Sequence, residues 1–265
     1  MTLQARNDIW VVADLRSERL FGYTLNILAK ARELAGEISG RAAVVVLEPP
    51  SPASTGPTGL PPDEAVARSL AHGADLVYRI ADPILAEPRA DAFAQALAAA
   101  VRLRTPRLVL CALTDFGREL AARTARLHDA GLIADCEDLR LQDGGIVASC
   151  PSWGGEIIAE IAYADPSRTG FATVQPHIRT AAAATGTPGT AERLPVDGLT
   201  PPPGLTLLSR EPEPEGRRRL EDAETVVVGG GGLGNADGFH LVRELALALG
   251  AEAGATRPPV AQHWV

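Results

Sequence analysis

The segment that most restricts the fold is a run of four glycines, Gly229–Gly232, between a short β-branched strand and an amphipathic helix. The strand is predicted over Thr225–Val228. The helix is predicted over Asp237–Leu249, where apolar residues recur at the spacing of one helical face. Glycine lets backbone N–H groups approach a ligand without interference from a Cβ atom. Because a helix N-terminus also attracts anions, the segment predicts a phosphate or pyrophosphate site, and so a nucleotide-like cofactor.

The first 130 residues alternate between predicted strands and predicted helices. The strands are Ile9–Ala13, Ala42–Leu47, Leu76–Ile80 and Leu108–Cys111, and the helices are Leu20–Leu34, Asp63–His72, Ala90–Arg102 and Asp115–His128. Thr114 or Asp115 is expected to cap the last helix, and residues 49–62, rich in Pro, Ser, Thr and Gly, are predicted to form a surface loop. Such alternation is typical of an α/β domain whose mostly parallel sheet is covered on both faces.

The pattern changes after Leu132 to short extended segments separated by turn residues. These segments are Cys136–Leu141, Ile146–Cys150, Ile157–Tyr163 and Thr173–Gln175. We interpret them as an antiparallel extension of the same domain, which would then span residues 1–177. Residues 178–222 are rich in Pro, Gly and charge and are predicted to be a linker with a short strand near Leu205–Leu208. Residues 223–265 would form a second unit.

Composition excludes several classes of function. The formal net charge is −8, whereas binding to nucleic acid needs a basic surface, so we expect no nucleic-acid partner. Cys111, Cys136 and Cys150 lack the spacing of a disulfide framework or an iron–sulfur site. The five histidines show no metal-binding motif, so no metal is expected. Without a signal-peptide pattern or an apolar run near 18 residues, we expect a cytoplasmic protein that is not embedded in a membrane.

The glycine run also fits a dinucleotide-binding pattern. Gly229, Gly231 and Gly234 match G-x-G-x-x-G, and Glu252 lies near the distance at which an acidic residue would bind a ribose. An NAD(P)-binding Rossmann-type oxidoreductase is therefore one alternative. Against it, no constellation of catalytic Lys, Tyr or His side chains is visible, and only one predicted strand follows the helix. A tight turn that binds nothing is another.

Several segments, in order along the chain, resemble the electron transfer flavoprotein alpha subunit family. They are Thr-Asp-Phe-Gly-Arg-Glu-Leu-Ala-Ala-Arg (114–123), Gly-Leu-Ile-Ala-Asp-Cys-Glu-Asp-Leu (131–139), Trp-Gly-Gly (153–155), Ala-Thr-Val-Gln-Pro (172–176) and Leu-Ala-Leu-Ala-Leu-Gly-Ala-Glu-Ala-Gly-Ala-Thr-Arg-Pro-Pro-Val (245–260). The resemblance implies an adenine-nucleotide-hydrolase-like N-terminal domain and a Rossmann-like C-terminal domain that holds FAD. It also implies a heterodimer with a beta subunit, which carries electrons from dehydrogenases to a membrane quinone reductase.

The resemblance assigns the cofactor contacts to a few positions. The FAD pyrophosphate is expected against Gly230, Gly231 and Gly232. Thr256 is expected to donate to the flavin or its ribityl chain, and Arg257 to stabilise negative charge on the ring. No residue is expected to be catalytic in the covalent sense, because the cofactor carries the electrons while the side chains set its potential and position.

The sequence departs from the family at three places near this site. Gly231 stands where the family usually has the arginine of Gly-Gly-Arg-Gly, and Thr256-Arg257 stands for Ser-Arg. Residues 260–264 read Val-Ala-Gln-His-Trp where the family has Val-Asp-Ala-Gly-Trp. The family's further C-terminal residues, which complete the FAD contacts, do not follow Val265. We therefore expect residues 223–265 to be an incomplete FAD-binding domain, and a flavin-free scaffold subunit for the beta partner is a further alternative.

Overall fold

The computed structural model of the protein describes residues 7–50, 59–181, 184, 189–196, 198–200, 203–206, 208–209, 220 and 223–265. The chain divides into two units, Met1–Gly204 and Leu205–Val265. The loop expected over 49–62 falls largely on residues 51–58, and much of the expected linker falls on 201–202, 207, 210–219 and 221–222, all outside the described residues. The strand expected near Leu205–Leu208 includes residue 207, and Leu205, Thr206 and Leu208 are not in a strand.

The first unit contains all eight elements predicted for its first 130 residues. Its strands are β1 (Ile9–Val12), β2 (Ala42–Glu48), β3 (Leu76–Ala81), β4 (Leu108–Ala112), β5 (Leu132–Cys136), β6 (Asp138–Gln142), β7 (Gly145–Ser152), β8 (Ile157–Ala162), β9 (Gly170–Val174) and β10 (Thr190–Arg193). Its helices are α1 (Glu18–Glu37), α2 (Pro62–Ala71), α3 (Ala90–Arg104) and α4 (Asp115–Leu127). Of the two predicted caps for α4, the structure selects Thr114, whose hydroxyl accepts from Gly117 N at 3.0 Å.

Seven strands form one parallel sheet in the order β10-β3-β2-β1-β4-β9-β5. Strands β1, β2 and β4 are buried along their whole length, because helices cover both faces. Val11 packs with side chains of α1 and α2 on one face, whereas Trp10 packs with those of α3 and α4 on the other. This three-layer α/β arrangement confirms the predicted fold class.

The region after Leu132 differs in part from the expected antiparallel extension. Strands β6, β7 and β8 form a separate three-stranded antiparallel sheet. By contrast, β5 and β9 join the parallel sheet, and β9 is buried at every residue. Strand β10 lies inside the expected linker yet pairs in parallel with β3, so the first unit continues beyond residue 177. The predicted segment Cys136–Leu141 is two strands that meet at Glu137.

A buried lysine joins the small sheet to α1. Lys30 is the only lysine in the sequence and is 1% exposed. Its ammonium lies 2.7 Å from Glu33 Oε1 and 3.0 Å from Asp138 Oδ1 at the start of β6. Arg179 Nε donates to Glu33 Oε2 at 3.0 Å. Four charged side chains therefore connect α1, β6 and the segment after β9.

The second unit is a strand–helix–strand motif followed by a short helix. Strands β11 (Val226–Gly229) and β12 (Glu252–Ala255) are parallel, and α5 (Phe239–Leu249) connects them. Helix α6 (Arg257–Ala261) follows. Phe239, Val242 and Ala246 are the buried residues of α5. Its four leucines, Leu241, Leu245, Leu247 and Leu249, are exposed.

None of the described helices combines the length and the apolar composition that crossing a bilayer requires.

Candidate functional site

The glycine run forms the turn that follows β11. Gly230 is extended, Gly231–Leu233 form a single 3₁₀ turn, and Gly234 leaves it with φ 82°. Helix α5 begins only at Phe239, two residues later than predicted. The four glycines are therefore separated from the helix by a loop, rather than leading directly into its first turn.

The glycines of this segment serve different purposes. A Cβ atom at Gly229 would lie 2.7 Å from Leu233 Cδ1 and 2.8 Å from Phe239 Cε2, and one at Gly238 would lie 2.6 Å from Leu233 O. Internal packing therefore requires glycine at both positions. A Cβ atom at Gly230 would have Thr256 Oγ1 as its nearest neighbour, at 3.6 Å, and a Cβ atom at Gly232 would have no neighbour within 4 Å.

Packing within the second unit does not require glycine at Gly230, Gly231 or Gly232. A Cβ at Gly231 would make an ordinary contact with Pro258 Cβ at 3.5 Å. None of the three has a positive φ. A side chain there would instead project into the space in front of the turn. These positions fit a group that approaches the backbone closely, which is the use of glycine at phosphate sites.

Backbone N–H groups of the same turn are free to donate. The turn's own hydrogen bonds run from Leu233 N to Gly230 O and from Gly234 N to Gly231 O, both at 3.2 Å. In these bonds the glycines act only as acceptors, through their carbonyl groups. Among the described residues, the N–H groups of Gly230–Gly232 have no protein acceptor. Successive unpaired N–H groups in a turn form a concave anion site.

The first N–H groups of α5 do not contribute donors in the way the sequence predicted. Gly238 N donates to Asn235 Oδ1 at 2.9 Å. Phe239 N and His240 N donate to Ala236 O and Asp237 O, each at 3.1 Å. Since these groups are already paired, any anion at this turn is bound by the glycine N–H groups. Asn235 was not among the predicted residues; it lies four residues before Phe239 and caps the turn that leads into α5 rather than the helix itself.

The second predicted segment lies beside the glycine turn. Because β11 and β12 are parallel, their carboxyl ends meet at one edge, and Thr256 N donates to Gly229 O at 2.9 Å. The Thr256 hydroxyl is exposed and makes no capping bond to α6. Arg257 is the exposed first residue of α6. The structure thus brings Thr256 to Gly230, and Arg257 follows on the same surface segment.

Glu252 lies at the wrong end of its strand for the dinucleotide interpretation. It begins β12 and pairs with Val226 at the start of β11, whereas Gly229 pairs with Ala255. A ribose-binding acid is expected at the carboxyl end of its strand. With a rise of about 3.3 Å per residue, Glu252 is about 10 Å from Ala255, which lies at the carboxyl end of β12 beside Gly229. The NAD(P) alternative therefore loses its acidic ligand.

The first unit closes the place where α/β sheets usually bind nucleotides. This place is the carboxyl edge between β1 and β4, where the strand order reverses. Asp14 and Arg16 form a bidentate pair there at 2.9 and 2.7 Å, and the Arg16 guanidinium lies 4.4 Å from the Phe116 ring centre. The cavity left is about 10 Å³. Among the residues described, no cluster of three His, Cys, Asp or Glu side chains could hold a metal ion.

Comparison with known proteins links both units to one family. Residues 9–199 match the family model described as the electron transfer flavoprotein domain, and residues 219–265 match the electron transfer flavoprotein FAD-binding domain. The protein FixB of Azorhizobium caulinodans is 32% identical over 271 residues, which cover 99% of this chain and 69% of FixB.

Other relatives carry the name electron transfer flavoprotein subunit alpha. The one from Thermoanaerobacterium thermosaccharolyticum is 30% identical over 260 residues, which cover 97% of this chain and 75% of the relative. The one from Clostridium acetobutylicum is 28% identical over 274 residues, which cover 97% of this chain and 74% of the relative. These matches confirm the resemblance in the sequence. The chain belongs to the electron transfer flavoprotein alpha subunit family, and residues 219–265 fall in its FAD-binding domain.

Proposed function

We propose that this chain carries electrons on FAD, whose pyrophosphate is bound by the N–H groups of Gly230, Gly231 and Gly232. The observation that supports this best is that these three glycines have neither a positive φ nor a close internal contact. Their N–H groups lack protein acceptors in the described residues. A pyrophosphate would satisfy these donors and would use the space that side chains at Gly230 and Gly232 would fill, whereas position 231 accepts an arginine in the family.

The two residues after β12 take different roles in this proposal. The Thr256 hydroxyl donates to the flavin or its ribityl chain, and Arg257 stabilises negative charge on the flavin ring through a charge-assisted hydrogen bond. FAD supplies the electron-transfer chemistry when it is bound, while the protein binds and orients it and sets its potential. No side chain of the chain forms a covalent intermediate.

The proposed assembly is a heterodimer with an electron transfer flavoprotein beta subunit. Dehydrogenases supply the electrons, and a membrane quinone reductase accepts them. The proposed location is the cytoplasm. Support for these partners comes from the family to which the chain belongs, and the exposed apolar side chains of β8 and α5 support an assembly with another chain.

One feature favours a second candidate, a flavin-free scaffold subunit. Gly231 replaces the arginine usual in the family, which removes a cation expected near the pyrophosphate. The two candidates differ in a simple observable, because bound flavin absorbs at about 450 nm. The chain purified with its beta subunit is expected to show this absorbance. If the absorbance is still absent after reconstitution with added FAD, the scaffold is favoured.

A substitution at Gly232 tests the site without disturbing the fold. Because a Cβ there would meet nothing within 4 Å, Gly232→Ala should leave the free energy of unfolding within about 0.5 kcal/mol of the wild type. It should weaken FAD binding by about tenfold or more, as the methyl group intrudes on the pyrophosphate. Flavin fluorescence quenching on titration with the complex measures this affinity.

The matched control is Gly36→Ala. Gly36 is exposed, has no neighbour within 4 Å of its Cβ position, and lies in α1 of the first unit. This variant should bind FAD as the wild type does. Equal FAD affinity in Gly232→Ala and Gly36→Ala would show that the pyrophosphate lies elsewhere.

A further inference from the structure

Two buried cysteines face each other where the two sheets of the first unit meet. Cys136 ends β5, the edge strand of the parallel sheet, and Cys150 lies in β7, the central strand of the antiparallel sheet. Their Sγ atoms are 3.9 Å apart. Both are free thiols, 0% and 4% exposed. The sequence spacing gave no sign of this pair, because the chain between them folds back through β6.

Backbone geometry holds the two thiols in this position. The pairing of β5 with β9 is irregular between Ile133 and Cys136, and Asp135, with φ 61°, donates its N–H to Thr173 Oγ1 at 2.9 Å. This irregularity turns Cys136 toward β7. Beside the pair, Glu137 N donates to Ser149 O at 2.9 Å. The backbones on which the two cysteines lie are therefore directly joined, and a bond between the sulfurs requires them to approach by only about 2 Å.

We propose that Cys136 and Cys150 are a redox-sensitive pair, in which hydrogen peroxide forms a disulfide that fastens the antiparallel sheet to the parallel sheet. Cys150 reacts first, because it is the one with residual exposure. Its sulfur attacks one oxygen of the peroxide, the O–O bond breaks, and a sulfenic acid and one water form. The Cys136 sulfur then attacks the Cys150 sulfur, the S–O bond breaks, and the hydroxyl leaves with the Cys136 proton as a second water. Two thiols are oxidised and one peroxide is reduced to two waters.

The surroundings of the pair set when this reaction occurs. Burial is the main cause that raises the pKa of both thiols. Cys150 raises the pKa of Cys136 further. The charges of Asp135 and Glu137 raise the pKa of Cys150, although its hydrogen bond with Cys136 lowers it. Since the thiolate is the reactive form, the pair stays reduced until oxidant accumulates. Once formed, the disulfide closes a short loop containing β6 and most of β7, and it restricts opening of the small sheet.

The experiment is a peroxide time course on the complete chain in complex with the beta subunit, followed by denaturation and alkylation, with the labels on this chain counted by mass. The sequence has three cysteines, so the reduced protein takes up three labels. We expect two labels to be lost together, with an intact mass about 2 Da lower before alkylation. Non-reducing digestion should join the peptide that contains Cys136 to the one that contains Cys150. Hydrogen exchange over residues 138–162 should slow in the oxidised protein.

Two variants separate this pair from general thiol oxidation. Cys111→Ser removes a cysteine that is buried in β4 and is expected to keep the disulfide. Cys150→Ser is expected to form none and to retain both remaining thiols at the same peroxide dose. Because the digestion is made on the wild type, the test stands even if Cys150→Ser fails to fold. Three labels after oxidation, a bond that involves Cys111 or a second chain, or unchanged hydrogen exchange would each overturn the proposal.

Discussion

Gly231 has room for the arginine that its family usually carries. A Cβ there would make an ordinary 3.5 Å contact with Pro258, and the residue is exposed with a negative φ. We therefore expect Gly231→Arg to fold normally and to bind FAD more tightly. A hydrogen bond to a charged group contributes about 1.5–3 kcal/mol, which corresponds to about a tenfold to hundredfold lower Kd.

The measurement for Gly231→Arg is the rate of flavin loss on dilution of the complex, together with the Kd from titration. Gly231→Gln is the control, since it adds a side chain of similar reach without the positive charge. If both variants retain FAD equally, the guanidinium charge does not contribute, and the gain comes from added contacts alone.

Arg257 permits a prediction about the potential of the flavin rather than about its affinity. If its guanidinium stabilises the anionic ring, Arg257→Ala in the complete complex should lower the first reduction potential. Each 1.4 kcal/mol of lost stabilisation corresponds to about 60 mV for a one-electron couple. Spectroelectrochemical titration measures the shift, and Arg243→Ala, which removes another cation of the second unit, should leave the potential unchanged. An unaltered potential in Arg257→Ala with full flavin occupancy would make Arg257 a surface charge.

At the scale of residues, the sequence predicted that the glycine run forms a ligand-binding turn, but it did not show which of the glycines a ligand requires and which the packing requires. Gly229 and Gly230 are indistinguishable in the sequence. Only the packing of Leu233 and Phe239 beneath the turn shows that Gly229 serves the fold. Glu252 shows the same limit, because its distance along the chain fits a ribose ligand although its position in the strand does not.

At the scale of elements, periodicity predicted the eight strands and helices of the first 130 residues, but it predicted neither β5 nor β10. Strand β5 follows α4 and pairs with β9, which comes after the whole antiparallel sheet. Strand β10 is a short, mostly exposed segment within a region rich in Pro and Gly. Nothing local in either sequence distinguishes a parallel partner from an antiparallel one, since that choice depends on which edge the folded sheet leaves free.

The charged cluster around Lys30 makes α1 sensitive to acid. The hydrogen bond from Lys30, and then that from Arg179, holds the pKa of the Glu33 carboxyl below its ordinary value of 4.5. A carboxyl whose pKa is lower in the folded state than in the unfolded state stabilises the fold above the unfolded pKa. This contribution is lost as the pH falls through the folded pKa.

Glu33→Gln should therefore lower the free energy of unfolding at pH 7. The difference from the wild type should become smaller as the pH falls below 4.5. The loss at pH 7 should not exceed about 1 kcal/mol, because the Glu33 side chain is partly exposed and solvent screens its charge. Urea denaturation across a pH series measures it. Glu37→Gln, at the end of the same helix, is the control. If the two variants show the same dependence on pH, the Lys30 cluster does not contribute to acid sensitivity.

At the scale of the whole molecule, each unit presents apolar side chains to solvent. In the first unit these are Trp153, which is 81% exposed, and the isoleucines of β8, Ile157, Ile158 and Ile161. In the second unit they are the leucines on the uncovered side of α5. A sheet of two strands with one helix buries little apolar surface and is marginal alone. Exposed apolar groups of this size mark surfaces that another chain covers.

We therefore expect the chain to be stable only in complex with its beta subunit, with the 132–177 region and the segment after it forming part of the interface. Ile158→Glu places a charge on the exposed face of β8 and should weaken association by about tenfold or more, since a charge buried at an interface without a partner is costly. Analytical ultracentrifugation of the mixed subunits measures the affinity. Leu103→Glu, at an exposed leucine of α3 outside this region, should associate as the wild type does.

Proteolysis gives an independent measurement of the same dependence. Residues 223–265 should be cleaved rapidly in the isolated chain and protected when the beta subunit is added, because their apolar faces lack cover in the chain alone. Ile158→Glu should reduce this protection at subunit concentrations that protect both the wild type and Leu103→Glu. A monodisperse monomer at micromolar concentration whose residues 223–265 resist protease without a partner would contradict the prediction, since the second unit would then be stable by itself.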